Sequence, residues 1–384
     1  MSMTRSYSFH PGPSLLAGAG SASLLSQHLP DGKCLFVTDQ DVVALGLIDD
    51  CRTSLEKGGR EVILFDAVEA DPSKATLLAA VELGRRHDVS HVVGFGGGSP
   101  MDVAKLAAYL LSSGDDLDAI WGVGLATGRS LPLALVPTTA GTGSEATPVA
   151  VITCEGGEKR GVNSPALIAD WAALDASLTL GMPRSLTAAT GIDAMVHAIE
   201  SYTSAKAKNP ISDLYAREAL RLLSANLIRA CEQPDDLDAR SAMLLGAHLA
   251  GLAFANAPVA GVHALAYPLG GIHHLPHGLS NALMLRAVLQ HNSEAARDDY
   301  AELAMILAPE CAGLGSQAQC ALLIERLDAM VVDSGLAPRL RDHGIAAGDI
   351  PLLASEAMKQ QRLLVNNPCS IDEADARRLY EAAW

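Results

Sequence analysis

No apolar run in this sequence approaches the ~18 residues that a membrane span requires. No C-x-x-C pair occurs among the seven cysteines, Cys34, Cys51, Cys154, Cys231, Cys311, Cys320 and Cys369. Their odd number and wide spacing exclude a disulfide framework and fit a reducing compartment, each thiol being expected as a small buried or half-buried residue. Basic side chains are in the minority, 28 against 44 acidic ones, and the formal net charge of −16 argues against a nucleic-acid or anionic-membrane partner, since both are polyanions. Internal repeats and low-complexity segments are absent. The opening stretch MSMTRSYSFHPGPSLLAG has one Arg but neither a long apolar stretch nor a clear cleavage site, so no signal peptide is expected. What is present is apolar: 49% of residues are hydrophobic, which excludes intrinsic disorder, and 384 residues exceed a single small core and suit two domains. The expectation is a soluble, cytoplasmic protein.

The first half alternates in character. Short β-branched or apolar runs occur at Lys33–Thr38, Glu61–Phe65, Ser90–Phe95, Leu131–Val136 and Val149–Thr153, with helical spacing between them, as in Lys74–His87 and Met101–Leu111. Strands alternating with helices predict a mainly parallel sheet built from βαβ units. From about Pro183 the strand-like runs stop, and Pro and Gly punctuate successive helices over Leu186–Tyr202, Ile211–Cys231, Asp238–Phe254, Asn281–Asn292, Tyr300–Leu307 and Gln317–Ser334. The predicted fold is an α/β dinucleotide-binding domain over 1–182 and an all-helical metal-binding domain over 183–384.

Two loops follow strand-like runs in the first half. In Gly94-Phe-Gly96-Gly97-Gly98-Ser99-Pro100-Met-Asp102, three consecutive glycines allow close approach of a ligand, and the helix behind them offers free N–H groups at its positive dipole end. Such a turn suits a pyrophosphate, although it is neither G-x-G-x-x-G nor a Walker A sequence and could equally be a tight connection. In Pro137-Thr138-Thr139-Ala-Gly-Thr142-Gly-Ser144-Glu145, hydroxyls and glycines offer donors to a phosphate or ribose, or simply cap the next element. Ligands of open α/β sheets bind beside the carboxyl ends of strands, so two such loops reinforce each other. Asp39, directly after KCLFVT, suits either a ribose hydroxyl or a helix N-cap.

The helical half carries the sharper signal. Asp193 and His197 are four apart, which puts a carboxylate and an imidazole on one helix face. Downstream come His263 and then His273, His274 and His277, in otherwise apolar segments (AMVHAIE, GVHALAYPLGG) where buried polar groups need partners. One carboxylate with two or three imidazoles is a first shell for a divalent ion such as Fe²⁺, Zn²⁺ or Mn²⁺. Spacing alone leaves the choice among the last three histidines open.

Together GGGSPMDVAK, PTTAGTGSE, TAATGIDAMVHAIESY and HALAYPLGG…LPHG resemble the iron-dependent (group III) alcohol dehydrogenases, and the resemblance runs over nearly the whole chain. It implies a metal held by Asp193, His197, His263 and His277, thereby selecting His277. It also implies an NAD site lined by Asp39, Gly96, Gly97, Gly98, Ser99, Asp102, Thr138, Thr139, Thr142 and Ser144, with Lys159 and Phe254 nearby, and a homodimer. Iron is the expected working metal, although zinc can occupy an isolated sample because N/O sites bind Zn²⁺ more tightly in the usual order. Tyr267 stands where many members carry a second histidine assigned to proton relay or substrate contact; a phenol hydrogen-bonds, but with a reference pKa of ~10 it relays protons poorly near neutrality. Ala169 and Cys369 replace a frequent Pro and a common Arg.

The expected function is hydride transfer between NAD(H) and a small alcohol or aldehyde, with the metal polarising the substrate oxygen. A maleylacetate reductase would need cationic residues in its pocket, and the metal-site segments contain no Arg or Lys. A lyase like the related dehydroquinate synthases would release no net NADH. A silent binding protein leaves ligands for both cofactor and metal unexplained.

Overall fold

The structure, a computed structural model, describes residues 6–384, so the opening of the stretch searched for a leader lies outside the described residues. The chain folds as two compact units. One comprises Pro11–Leu180, and the other Gly181–Trp384 with residues 6–10.

In the first unit the strands are β1 (Ser14–Ala17), β2 (Lys33–Val37), β3 (Glu61–Phe65), β4 (His91–Gly96), β5 (Gly122–Val123), β6 (Leu133–Pro137), β7 (Val149–Thr153), β8 (Lys159–Asn163) and β9 (Trp171–Leu174). Six of them form an entirely parallel sheet in the order β1-β9-β6-β4-β2-β3. Helices α1 (Gln40–Ala44), α2 (Asp49–Lys57), α3 (Lys74–His87) and α4 (Gly98–Ser113) supply crossovers. Both faces of this sheet are covered, which is why β4 is buried at every position and reads as a continuous apolar run. Leu35, Val37, Val92 and Leu135 pack on one face, and Cys34, Phe36, Val93, Phe95 and Val136 on the other. At the centre α4 presses onto β4: a Cβ added to Gly94 would lie 2.6 Å from Cβ of Ala104 and 2.7 Å from Leu135, so only glycine admits the helix there.

Two elements differ from the sequence reading. Val149–Thr153 does not join the main sheet; it pairs antiparallel with β8 in a separate sheet of order β5-β8-β7, and its alternate residues Ala150 and Ile152 turn inward. The main sheet is instead completed by β1 and β9, whose sequences SLLA and WAAL are too short and too poor in β-branched residues to announce strands.

The second unit is helical: α5 (Arg184–Tyr202), α6 (Pro210–Glu232), α7 (Leu237–Asn256), α8 (Gly261–His273), α9 (His277–Asn292) and further helices to the C-terminus. From Thr187 onward α5 is buried on nearly every side, packed by α6, α7, α8 and α9, as expected of an apolar helix at the centre of a bundle. Asn209 opens α6 with a capping box and Pro210 at the first turn. Among the described residues no single helix is long and apolar enough to cross a membrane.

Candidate metal centre and cofactor loops

Strands β6, β4 and β2 are parallel neighbours, so the loops that follow them leave the sheet along one edge. Asp39 follows β2, the Gly96–Ser99 turn follows β4, and the Thr138–Ser144 loop follows β6. These segments touch. The N–H of Thr138 donates to the Gly96 carbonyl at 2.9 Å, and a Cβ on Gly98 would meet Thr142 Cγ2 at 3.0 Å. Gly96 has φ +144°, where side chains are strained; a Cβ there would also strike the Pro100 ring at 2.8 Å and lie 3.3 Å from Asp39 Oδ2. No side chain caps α4, whose N-cap is Gly97, so its first N–H groups remain for an anion.

Asp39 has two faces. Its Oδ1 accepts from the Val42 N–H at 2.8 Å, capping α1, while Oδ2 stands beside the glycine turn. Burial pushes its carboxyl above the usual range, against the pull of that cap bond. Asp102 and Ser144 brace the loops internally. Ser144 Oγ donates to Asp102 Oδ1 at 2.6 Å, and Asp102 Oδ2 accepts from the Val151 N–H at 2.9 Å. Behind them Lys105, fully buried, donates to Ser144 Oγ at 2.7 Å, Val149 O at 2.8 Å and Thr147 Oγ1 at 3.2 Å, thereby tying α4 to the second loop. Lys159, on β8, forms an ion pair with Asp71 at 2.6 Å. Thr139 and Ser99 are half-buried on the same edge of the sheet.

In the helical unit, α5 presents Asp193 and His197 one turn apart, α8 carries His263, and α9 begins with His277. Each offers one ligand atom, and the four atoms lie within 4.8 Å of one another. The Nε2 atoms of His277, His263 and His197 stand 3.6, 3.9 and 4.0 Å from Asp193 Oδ1. Those separations are too long for direct hydrogen bonds, yet they match ligand atoms sharing one ion at ~2.1 Å, which fall about 3–4 Å apart. The donor set fits a divalent ion: one carboxylate, three imidazoles, no thiolate. Burial alone would raise the Asp193 carboxyl, but the imidazoles of His197, His277 and His263 and the amide of Asn281 hold it below the usual range. His277 is the open side, with 38% of its side chain exposed while the other three are buried. The structure therefore gathers His277, whereas His273 ends α8 with its Nε2 3.7 Å from Asp349, and His274 is the left-handed cap of that helix.

Phe254 stacks on His197 with ring centroids 4.5 Å apart, and the Tyr267 ring is 5.9 Å from that of His277. Two residues escaped the sequence reading. Glu200 continues the Asp193/His197 face one turn on, and Asn281 follows His277 by one turn; helical spacing from a ligand was the signal that could have found them.

A parallel sheet with glycine-rich turns at its carboxyl edge, in one chain with a helical unit that gathers a carboxylate and three imidazoles, is the layout of a dinucleotide- and metal-binding enzyme. More particularly, residues 12–176 match the iron-containing alcohol dehydrogenases and residues 187–384 the C-terminal part of the Fe-containing alcohol dehydrogenase family, and the chain belongs to that family. Long-chain-alcohol dehydrogenase 1 of Geobacillus thermodenitrificans (strain NG80-2) is 40% identical over 353 residues, covering 91% of this chain and 89% of that protein. The crystal structure of a 1,3-propanediol oxidoreductase superposes with a TM-score of 0.95 at 32% identity, covering 99% of this chain and all of the other. A sulfoacetaldehyde reductase from Bifidobacterium kashiwanohense, solved in complex with NAD⁺, superposes with a TM-score of 0.88 at 27% identity, covering 99% of each chain.

Proposed function

We propose that this enzyme transfers hydride between NAD(H) and a small alcohol or aldehyde, with Asp193, His197, His263 and His277 holding Fe²⁺. The observation that carries the reading is the convergence of those four ligand atoms, at separations suited to a shared ion. Asp193, His197, His263 and His277 would hold a divalent ion that supplies Lewis-acid polarisation of a substrate oxygen, and bound NAD(H) would supply the hydride donor or acceptor.

The chain's own residues do the rest. The Gly96–Ser99 turn, with the uncapped start of α4 behind it, receives the pyrophosphate, and Thr138, Thr139 and Thr142 offer hydroxyl donors beside it. Asp102, Ser144 and Lys105 hold those loops in register. Asp39 Oδ2, beside the glycine turn, would accept from the adenosine ribose, and family resemblance adds Lys159 and Phe254 to the dinucleotide contacts. The exposed side of His277 admits substrate, and the Tyr267 ring beside it lines that approach. The relatives support substrates ranging from a diol to a long-chain alcohol and a sulfonated aldehyde. We place the enzyme in the cytoplasm as a homodimer, the first on its seven free cysteines and the second on family resemblance.

The test is an anaerobic panel of alcohols and aldehydes with Fe²⁺-loaded protein, scored by net NADH formed or consumed. Turnover of an alcohol–aldehyde pair is expected, and it should disappear on chelation and return more fully with Fe²⁺ than with Zn²⁺. Recovery that is greater with zinc would overturn the iron assignment. Turnover without net NADH would instead favour a lyase.

A further inference from the structure

We propose that Glu200 is the positioning residue of this metal centre: it fixes the ring tautomer of His263, so that Nε2 faces the other three ligand atoms.

Glu200 lies on α5 with Asp193 and His197, at a spacing that brings all three to one helix face. It is 3% exposed. Its Oε1 accepts from the Val262 N–H at 2.6 Å, and its Oε2 accepts from the Ala260 N–H at 2.9 Å. Oε2 also stands 2.7 Å from His263 Nδ1. Backbone N–H groups can only donate, so both carboxylate oxygens already act as acceptors toward the first turn of α8, at its positive dipole end. Among the described residues no Lys or Arg pairs with Glu200. The only arrangement that keeps the carboxylate an acceptor throughout is Nδ1–H on His263 donating to Oε2. That leaves the Nε2 lone pair free, and Nε2 is the atom 3.9 Å from Asp193 Oδ1. A single buried carboxylate on α5 therefore sets the entry of α8, the rotation of its imidazole, and the nitrogen offered to a metal. The inference rests on the metal-ligand reading given above.

Glu200→Gln keeps the side-chain volume but replaces one acceptor with an NH₂ donor facing other donors. The test measures divalent-ion dissociation constants by chelator competition, together with the visible d–d bands of the Co²⁺-substituted protein. In Glu200→Gln the dissociation constant should rise by ~10–100-fold and the Co²⁺ bands should shift, with NAD⁺ affinity unchanged. If the metal-free variant melts lower but its metal affinity and Co²⁺ bands match wild type, Glu200 is only structural and the proposal fails. Because the variant could fail to fold, ¹⁵N-histidine NMR of the Zn²⁺-loaded wild type decides independently. A protected Nδ1–H on His263 with metal on Nε2 is expected; metal on Nδ1 would overturn the tautomer assignment. Should the wild type itself bind no divalent ion tightly, the ligand reading falls, which is a result distinct from equal binding by wild type and variant.

Discussion

Asn281 donates from Nδ2 to Oδ1 of Asp193 at 2.6 Å, and the same Nδ2 stands 3.2 Å from Nε2 of His263 and 3.3 Å from Nε2 of His277. This fully buried amide lies among the ligand atoms. Its N–H donates a direct hydrogen bond to the Asp193 carboxylate, beside the three imidazoles. Truncating it strands a buried charge-assisted acceptor, which costs about 1–3 kcal/mol. Asn281→Ala should accordingly destabilise the metal-free protein more than the metal-loaded one, because a bound ion supplies Asp193 with a new partner. Calorimetry with and without Zn²⁺ should show a larger metal-induced rise in Tm in the variant; an equal rise would contradict this role.

At Gly278 the first turn of α9 lies directly against the backbone of α5. A Cβ there would lie 2.3 Å from the Ala189 carbonyl oxygen, and backbone cannot swing aside as a side chain can. Gly278→Ala should push the start of α9 outward, carrying His277 with it. The expected result is destabilisation by about 1–3 kcal/mol in urea melts, with a disproportionate loss of metal affinity. Unaltered metal binding in the folded variant would show that His277 is positioned by something else.

Cofactor choice should hang on Asp39. The 2′-phosphate of NADP would bring about two negative charges toward Oδ2, and even a third of the ~4 kcal/mol that a like-charge pair costs at ~4 Å amounts to roughly tenfold discrimination. NAD(H) should be preferred, and Asp39→Gly should relax the preference by about tenfold in the ratio of kcat/KM values. Losing the α1 cap to glycine costs only a few tenths of a kcal/mol, so the comparison stays clean. A ratio unmoved by the substitution would make Asp39 a helix cap and nothing more.

Acid sensitivity of the α/β unit should trace to His91. Burial, then the nearby Arg60 charge, lowers its pKa from 6.5 to about 4. The folded state therefore keeps this ring neutral where the unfolded chain binds a proton, so stability rises with pH between about 4 and 6.5 and is lost as pH falls through that window. From pH 7 to pH 5 the group should remove about 2 kcal/mol. Urea melts of wild type and His91→Gln at both values check this. The variant should lose less stability on acidification, and an identical loss would assign the acid sensitivity elsewhere.

The sequence was most legible where chemistry and periodicity coincide. Asp193 and His197 are visible because charged or titratable groups one turn apart in an apolar helix need a reason to be buried. The glycine turn after β4 and the hydroxyl-rich loop after β6 are visible because each follows a buried strand. His277 was separable from His273 and His274 only by resemblance, since the break between α8 and α9 decides which ring turns back toward α5. Glu200 and Asn281 each stand one helical turn from a ligand, a local hint, but what they touch lies 63 and 88 residues away in sequence and is set by helix packing. Lys105 closes the GGGSPMDVAK motif, yet only the fold shows an ammonium with its acceptors gathered from a loop some 40 residues on. Burial depresses its pKa, which local sequence could not have revealed. The small sheet was missed because β7 has strand-like composition, and composition does not name a strand's neighbour.

The order of the main sheet also carries a kinetic consequence. β1, made first, pairs only with β9, made last in its unit, and β9 joins that pair to β6. During synthesis the opening strand must wait with its backbone hydrogen-bonding groups open until residues 171–174 have left the ribosome. Non-local parallel pairings are formed only after the entropy of a long loop has been lost, so joining β1 to β9 carries the largest loop-closure cost of any strand pairing in this sheet. Until β9 docks, the β6 edge that it covers is an open strand edge, the kind of surface that pairs with other chains.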